Sequence, residues 1–217
     1  MIFFDLDGPI LDVSGKYYRV YADIVRQLGG HPLPRAEYWS RKRARESDVV
    51  LLRDSGVAAT CLTTFQARRR ELIETRPYWL LDVVWPEVRA ALVGLADRMS
   101  VVLVTLRNNH AELRAELAEL DLASCFAEVL SASGDASGPD RHAAKVSLVR
   151  ARYGNVAPGW FVGDTETDLC SGTALGLRRA AVTFGIREAK ALRRENPDKI
   201  FNQPRELADW LLSNPDL

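Results

Sequence analysis

Two aspartates stand one residue apart near the start of the chain, Asp5 and Asp7 in "FFDLDGPILD", between an apolar run and a Gly-Pro step. In extended chain, side chains repeat every two residues, so both carboxylates lean to one side while Leu6 leans to the other. Two carboxylates on one side repel each other unless something positive sits between them. A second acid pair, Asp164 and Asp168 in "GDTETD", comes much later. Thr105 closes the apolar run "VVLVT", and Lys145 stands in "AAKVS". Acid pair, hydroxyl, ammonium and second acid pair make one centre only if the fold brings four remote segments to one rim. Each has a plainer reading alone: Asp before Gly-Pro turns a loop, Asp12 caps the helix that follows, and Asp168 starts a helix. Lys145 stands near a helix start, where the macrodipole opposes a cation, and that mismatch favours a functional role.

The elements that must carry these residues can be read from hydrophobic period. Ile2, Phe3 and Phe4 predict a short strand ending at the turn. "KYYRVYADIVRQLGG" spaces Tyr17, Val20, Tyr21, Ile24, Val25 and Leu28 by three and four residues until Gly29-Gly30 stops the helix. Further helical segments follow, and strand signals are few before residue 101. Beyond it strands alternate with helices: "SVVLVT", "AEVLSA", "GWFVGD" and "RAAVTFG" between helical stretches, with "PRELADWLLS" as the last helix. That alternation predicts an α/β fold, a doubly wound parallel sheet. Four residues cannot form a domain, so the first strand joins that sheet. The expected division is a core of residues 1–14 and 81–217 and an all-helical domain of residues 15–80 inserted after the first strand. "SASGDASGPDRH", residues 131–142, reads as a flexible loop. In such sheets ligands bind outside the carboxyl ends of the strands, where Asp5, Thr105 and Asp164 fall.

The order and wording of these motifs resemble the haloacid dehalogenase superfamily of aspartate-nucleophile phosphotransferases, and most closely its phosphoglycolate-phosphatase-like branch. Asp5-Leu6-Asp7-Gly8 matches its DxDG, Thr105 its Thr or Ser at a strand end, Lys145 its Lys or Arg, and Gly163 to Asp168 its GDxxxD. The helical insert stands where that family carries a helical cap. The resemblance implies a Mg²⁺-dependent phosphatase acting on a small phosphorylated metabolite through an aspartyl-phosphate. Asp5 would be the nucleophile and Asp7 the acid and base. Asp5, Asp7 (through its backbone carbonyl), Asp164 and Asp168 would hold the metal. Thr105 and Lys145, with backbone amides near Leu6, Leu106 and Arg107, would bind the phosphate. A phosphomutase or a 2-haloacid dehalogenase of the same superfamily is the alternative. A receiver-like signalling domain is a rival from another class, but it lacks a helical insert.

Bulk properties set limits on partners. The 217 residues carry 29 Lys+Arg against 29 Asp+Glu, so no global attraction to nucleic acid or an anionic membrane is expected. Cys61, Cys125 and Cys170 lie far apart, which argues against a disulfide framework or a thiolate zinc site. His31, His110 and His142 have no zinc spacing. The basic run Arg41, Lys42, Arg43 and Arg45 reads as a solvated face. With no apolar run of membrane-spanning length and no room for a signal peptide before the first strand, the expectation is a cytoplasmic protein, monomeric or homodimeric.

Overall fold

The computed structural model describes residues 1–132 and 140–214. Most of the expected loop at 131–142 therefore lies outside the described residues. The chain forms two units, one of residues 1–12 and 84–217 and one of residues 13–83.

The first unit opens with β1 (Ile2–Phe4), whose three residues are all buried, and the chain passes towards the second unit at β2 (Leu11–Asp12). The second unit is helical: α1 (Ser14–Gln27), α2 (Arg35–Arg43), α3 (Asp48–Asp54), α4 (Leu62–Leu72) and α5 (Arg76–Trp79). The stripe Val20, Tyr21, Ile24 and Val25 on α1 is buried against Tyr38, Leu51, Leu52 and Phe65. An amphipathic helix can bury that stripe only against another helix here, because no sheet is within this unit. Tyr21 stacks on Tyr38 at 4.2 Å. The Tyr21 hydroxyl is 2.5 Å from Ser55 Oγ and accepts from Leu33 N at 3.0 Å. Gly29 ends α1 at φ +80°, and the amides of Gly29 and Gly30 close on the carbonyls of Arg26 and Val25, the usual left-handed helix stop.

The two joints fall two and three residues outside the expected 15–80. Helix α1 begins at Ser14, and Lys16 on its first turn donates to buried Asp82 at 2.5 Å, which ties the end of the insert to its start.

The chain returns through β3 (Val83–Val84) and alternates: α6 (Pro86–Ala96), β4 (Val101–Thr105), α7 (His110–Glu119), β5 (Glu128–Ser131), α8 (Arg141–Tyr153), β6 (Trp160–Gly163), α9 (Glu166–Ala174), β7 (Arg178–Val182), α10 (Ala189–Arg193), β8 (Lys199–Phe201) and α11 (Pro204–Ser213). Six strands make one parallel sheet in the order β5-β4-β1-β6-β7-β8. Every residue of β1, β4 and β6 is buried, as strands covered on both faces require. This is the doubly wound α/β fold. The sequence reading did not anticipate β8 or α10; each is short, and "KIF" offers too brief an apolar run to register as a strand. From β1 the order runs one way to β4 and β5 and the other way to β6, β7 and β8, so β1 lies at the reversal. That is the point where α/β sheets leave a crevice beyond their carboxyl ends.

Candidate active site

Register places the chemistry. Phe4 pairs with Leu103 on β4 and Val162 on β6, so Asp5 emerges from the carboxyl end of β1 between its two neighbours. Thr105 is the last residue of β4, and Asp164 directly follows β6. Carboxylate oxygens of Asp5, Asp164 and Asp168 lie within 4.8 Å of one another, all three residues buried. Lys145, in the second turn of α8, reaches the same cluster and donates to Asp5 Oδ1 and to Asp168 Oδ1, each at 2.6 Å.

The electrostatics follow from that crowding. Burial pushes the Asp5 carboxyl up to about 7; Lys145 pulls it back, while Asp168 and Asp7 push it further up. Asp164 is raised well above the ordinary carboxylate range by burial and then by Asp168 and Asp5. Burial works to lower Lys145, but Asp168 and Asp5 outweigh it, and the ammonium is held above its usual value. Such excess negative charge in a dry place is stable only with protons or cations added to it.

The four site acids have unlike surroundings. Both oxygens of Asp168 are committed: Oδ1 to Lys145, and Oδ2 to the Thr165 amide at 3.0 Å, the Thr165 hydroxyl at 2.7 Å and the Asp164 amide at 3.3 Å. With Thr165 it closes a capping box at the start of α9. Asp164 Oδ2 accepts from the Ile186 amide, whereas Oδ1 is buried with no hydrogen-bond partner among the described residues. A buried carboxylate oxygen without a donor is costly, and a hard divalent cation is the partner that suits it. The residues present therefore fit such an ion. The backbone here tolerates no side chain: a Cβ on Gly8, at φ +111°, or on Gly185 would collide with the Asp164 carboxylate.

Asp7 turns to a different neighbour. It is gripped by Arg107, with Nε on Oδ2 at 3.2 Å and Nη2 on Oδ1 at 2.5 Å. Arg107 is itself buried and also donates to Glu116 on α7 through Nη1 and Nη2. Its amide donates to Thr105 Oγ1 at 3.3 Å. The indole of Trp85 donates to the Gly8 carbonyl at 2.9 Å and packs edge-on against Phe184, which holds the turn after Asp7.

Five predicted site residues thus meet at one rim: Asp5, Thr105, Lys145, Asp164 and Asp168. Asp7 and Arg107 form an adjoining pair through their side chains, although the sequence reading gave Arg107 only a backbone amide. Leu106 lies between Thr105 and Arg107, half-buried. Sequence reasoning missed Glu116, the Ile186 amide and the hydrogen bond of Trp85. Glu116 shares "AELRAELAEL" with two other glutamates, Glu112 and Glu119, and its place on the helix face of Leu113 and Leu117 was the only available signal.

The family model for haloacid dehalogenase-like hydrolases matches residues 1–176. The chain belongs to that family. Among curated proteins it is similar to the phosphoglycolate phosphatase of Neisseria gonorrhoeae, 28% identical over 96% of this chain and 91% of the relative. Among solved structures it is similar to a haloacid dehalogenase-like hydrolase from Streptococcus pneumoniae, with TM-score 0.76 and 18% identity over 96% of both chains. It is also similar to a candidate β-phosphoglucomutase from Thermotoga maritima, with TM-score 0.66 and 20% identity over 97% of both chains. These two likenesses speak for the fold alone. Family membership makes the chain a hydrolase-type enzyme whose curated relatives are phosphatases. Among the described residues no helix is long and apolar enough to cross a membrane.

Proposed function

We propose that the protein is a Mg²⁺-dependent phosphatase that hydrolyses a small phosphate monoester in two steps through an aspartyl-phosphate on Asp5. The observation that carries this reading is the buried trio Asp5, Asp164 and Asp168, set at the reversal point of the sheet, with one Asp164 oxygen that has no hydrogen-bond partner among the described residues. Asp5, Asp164 and the backbone carbonyl of Asp7 would hold the ion, and Asp168 would support it as a further or water-mediated ligand. When bound, Mg²⁺ would draw charge off the phosphoryl oxygens and so permit an anionic nucleophile to approach an anionic substrate.

The remaining steps belong to the chain. Asp5 attacks phosphorus, and the phosphorus–leaving-oxygen bond breaks as Asp7 gives that oxygen a proton. Asp7 then takes a proton from water, which hydrolyses the acyl phosphate and returns Asp5. Lys145 orients Asp5 and neutralises charge, while Thr105 and the amides of Leu6, Leu106 and Arg107 cradle the phosphoryl oxygens. The helical unit, by its place after the first strand, serves as a cap that chooses the leaving group. Phosphoglycolate, which the curated relatives' names carry, is the first substrate for a panel.

The expected result is phosphate release from a nitrophenyl phosphate that stops on chelation and is abolished in Asp5→Asn. Full activity in that variant overturns the assignment. Isomerisation of a sugar phosphate without phosphate release would point to a mutase, and chelator-resistant loss of halide from a haloacid to a dehalogenase.

A further inference from the structure

We propose that Arg107 is a positioning residue for Asp7, held in turn by Glu116, so that a buried three-residue relay aims the carboxyl that serves the leaving group. The proposal rests on the reading above that Asp7 is the acid and base, and adds to it a residue outside the motif set. Arg107 is a hundred positions from Asp7 in the chain and nine from Glu116, so only the fold joins them.

The geometry separates this role from two simpler ones. One edge of the guanidinium takes both oxygens of Asp7, and the remaining nitrogen turns to Glu116, whose second oxygen also meets Nη2 at 3.4 Å. All three side-chain nitrogens of Arg107 thus face carboxylates, which is poor placement for gripping a phosphate. A purely structural ion pair is also a weak explanation, since buried charges repay their desolvation badly and an apolar pair would fill the space as well. The side-chain exposures run from 0% at Glu116 through 6% at Arg107 to 18% at Asp7, so the relay is anchored in the core and ends at the accessible carboxyl. A two-point grip fixes the plane of a carboxyl group as well as its place, which a single ammonium could not do. Trp85 on the Gly8 carbonyl fixes the backbone of the same turn, while Arg107 holds the Asp7 side chain at both oxygens. A carboxyl misplaced by a fraction of its own size loses much of its value in proton transfer.

The test is a double-variant cycle read on two esters, nitrophenyl phosphate, whose leaving group departs readily, and phenyl phosphate, whose leaving group needs the proton. Arg107→Met is expected to lower kcat on phenyl phosphate by about 10–100-fold, and less on nitrophenyl phosphate, with KM changed less than about threefold. In an Asp7→Asn background the same change should cost less than about threefold, because the group it serves is gone. Glu116→Gln should show a smaller loss with the same leaving-group bias, and Arg107→Lys should recover only part. If Arg107→Met melts early, Glu116→Gln and Arg107→Lys, which keep the shape, carry the cycle. Equal losses on both esters, or losses that multiply independently of Asp7, overturn the relay while leaving the phosphatase reading intact. A wild-type chain that releases phosphate from neither ester defeats that reading and the relay with it.

Discussion

Lys145 is the residue on which the acid cluster depends. It is the cation between Asp5 and Asp168 and is itself buried, with the Phe161 ring 5.7 Å away. Lys145→Met leaves two carboxyls buried without that partner, and breaking a buried pair from one side typically costs about 3–5 kcal/mol. Urea unfolding should show a loss of that order at neutral to alkaline pH. The loss should shrink at acid pH, where the orphaned Asp5 carboxyl takes up a proton instead. A loss that does not change with pH would mean that Lys145 acts through packing rather than charge. At this scale the sequence was informative about types but not about pairings. The motif spacing singled out Asp5, Thr105, Lys145, Asp164 and Asp168 because strand ends and a helix start expose them to one rim. Nothing in the spacing told that Arg107 faces Asp7, because contact across loops leaves no periodic trace.

Among the elements, the turn after β1 is the most constrained. Gly8 has φ +111°, and its missing Cβ is the room in which the Asp164 carboxylate lies. Gly8→Ala is expected to cost about 1–3 kcal/mol from backbone strain alone and to abolish activity by displacing Asp164. Gly29, at φ +80° with open space around it, is the control. Gly29→Ala should cost about 1 kcal/mol and leave turnover intact. Calorimetry and phosphate release measured on both variants separate strain from site damage. If both behave alike, the packing around Gly8 does not matter to the site. The long elements were legible because their apolar residues recur at helical spacing or run unbroken, as on α1 and β4. The short ones, β8 and α10, were not, since three to five residues contain too little of any period to register.

For the whole molecule, the cluster makes stability depend on pH and metal together. Asp5 and Asp164 have raised folded values, so the stability they contribute is complete below the unfolded carboxylate value of 3.8 and is lost as pH rises through the folded one, about 7 for Asp5. The metal-free protein should therefore lose stability across that window. Mg²⁺ competes with protons for the same oxygens, so its stabilising effect should grow across the window. Thermal melts with Mg²⁺ and with a chelator, at about pH 5.5 and about pH 8, are expected to differ more at the higher pH. An equal difference at both would reject the shared site. By itself the sequence determined the parallel α/β plan, the helical insert and the chemical inventory of the rim, because these follow from periodicity and from residue types at strand ends. Tertiary structure alone decided that one Asp164 oxygen has no donor among the described residues, that the Ile186 amide meets its other oxygen, and that Arg107 links Asp7 to Glu116. Those contacts join residues remote along the chain, and they are set by how helices and loops pack over the sheet, which no local pattern encodes.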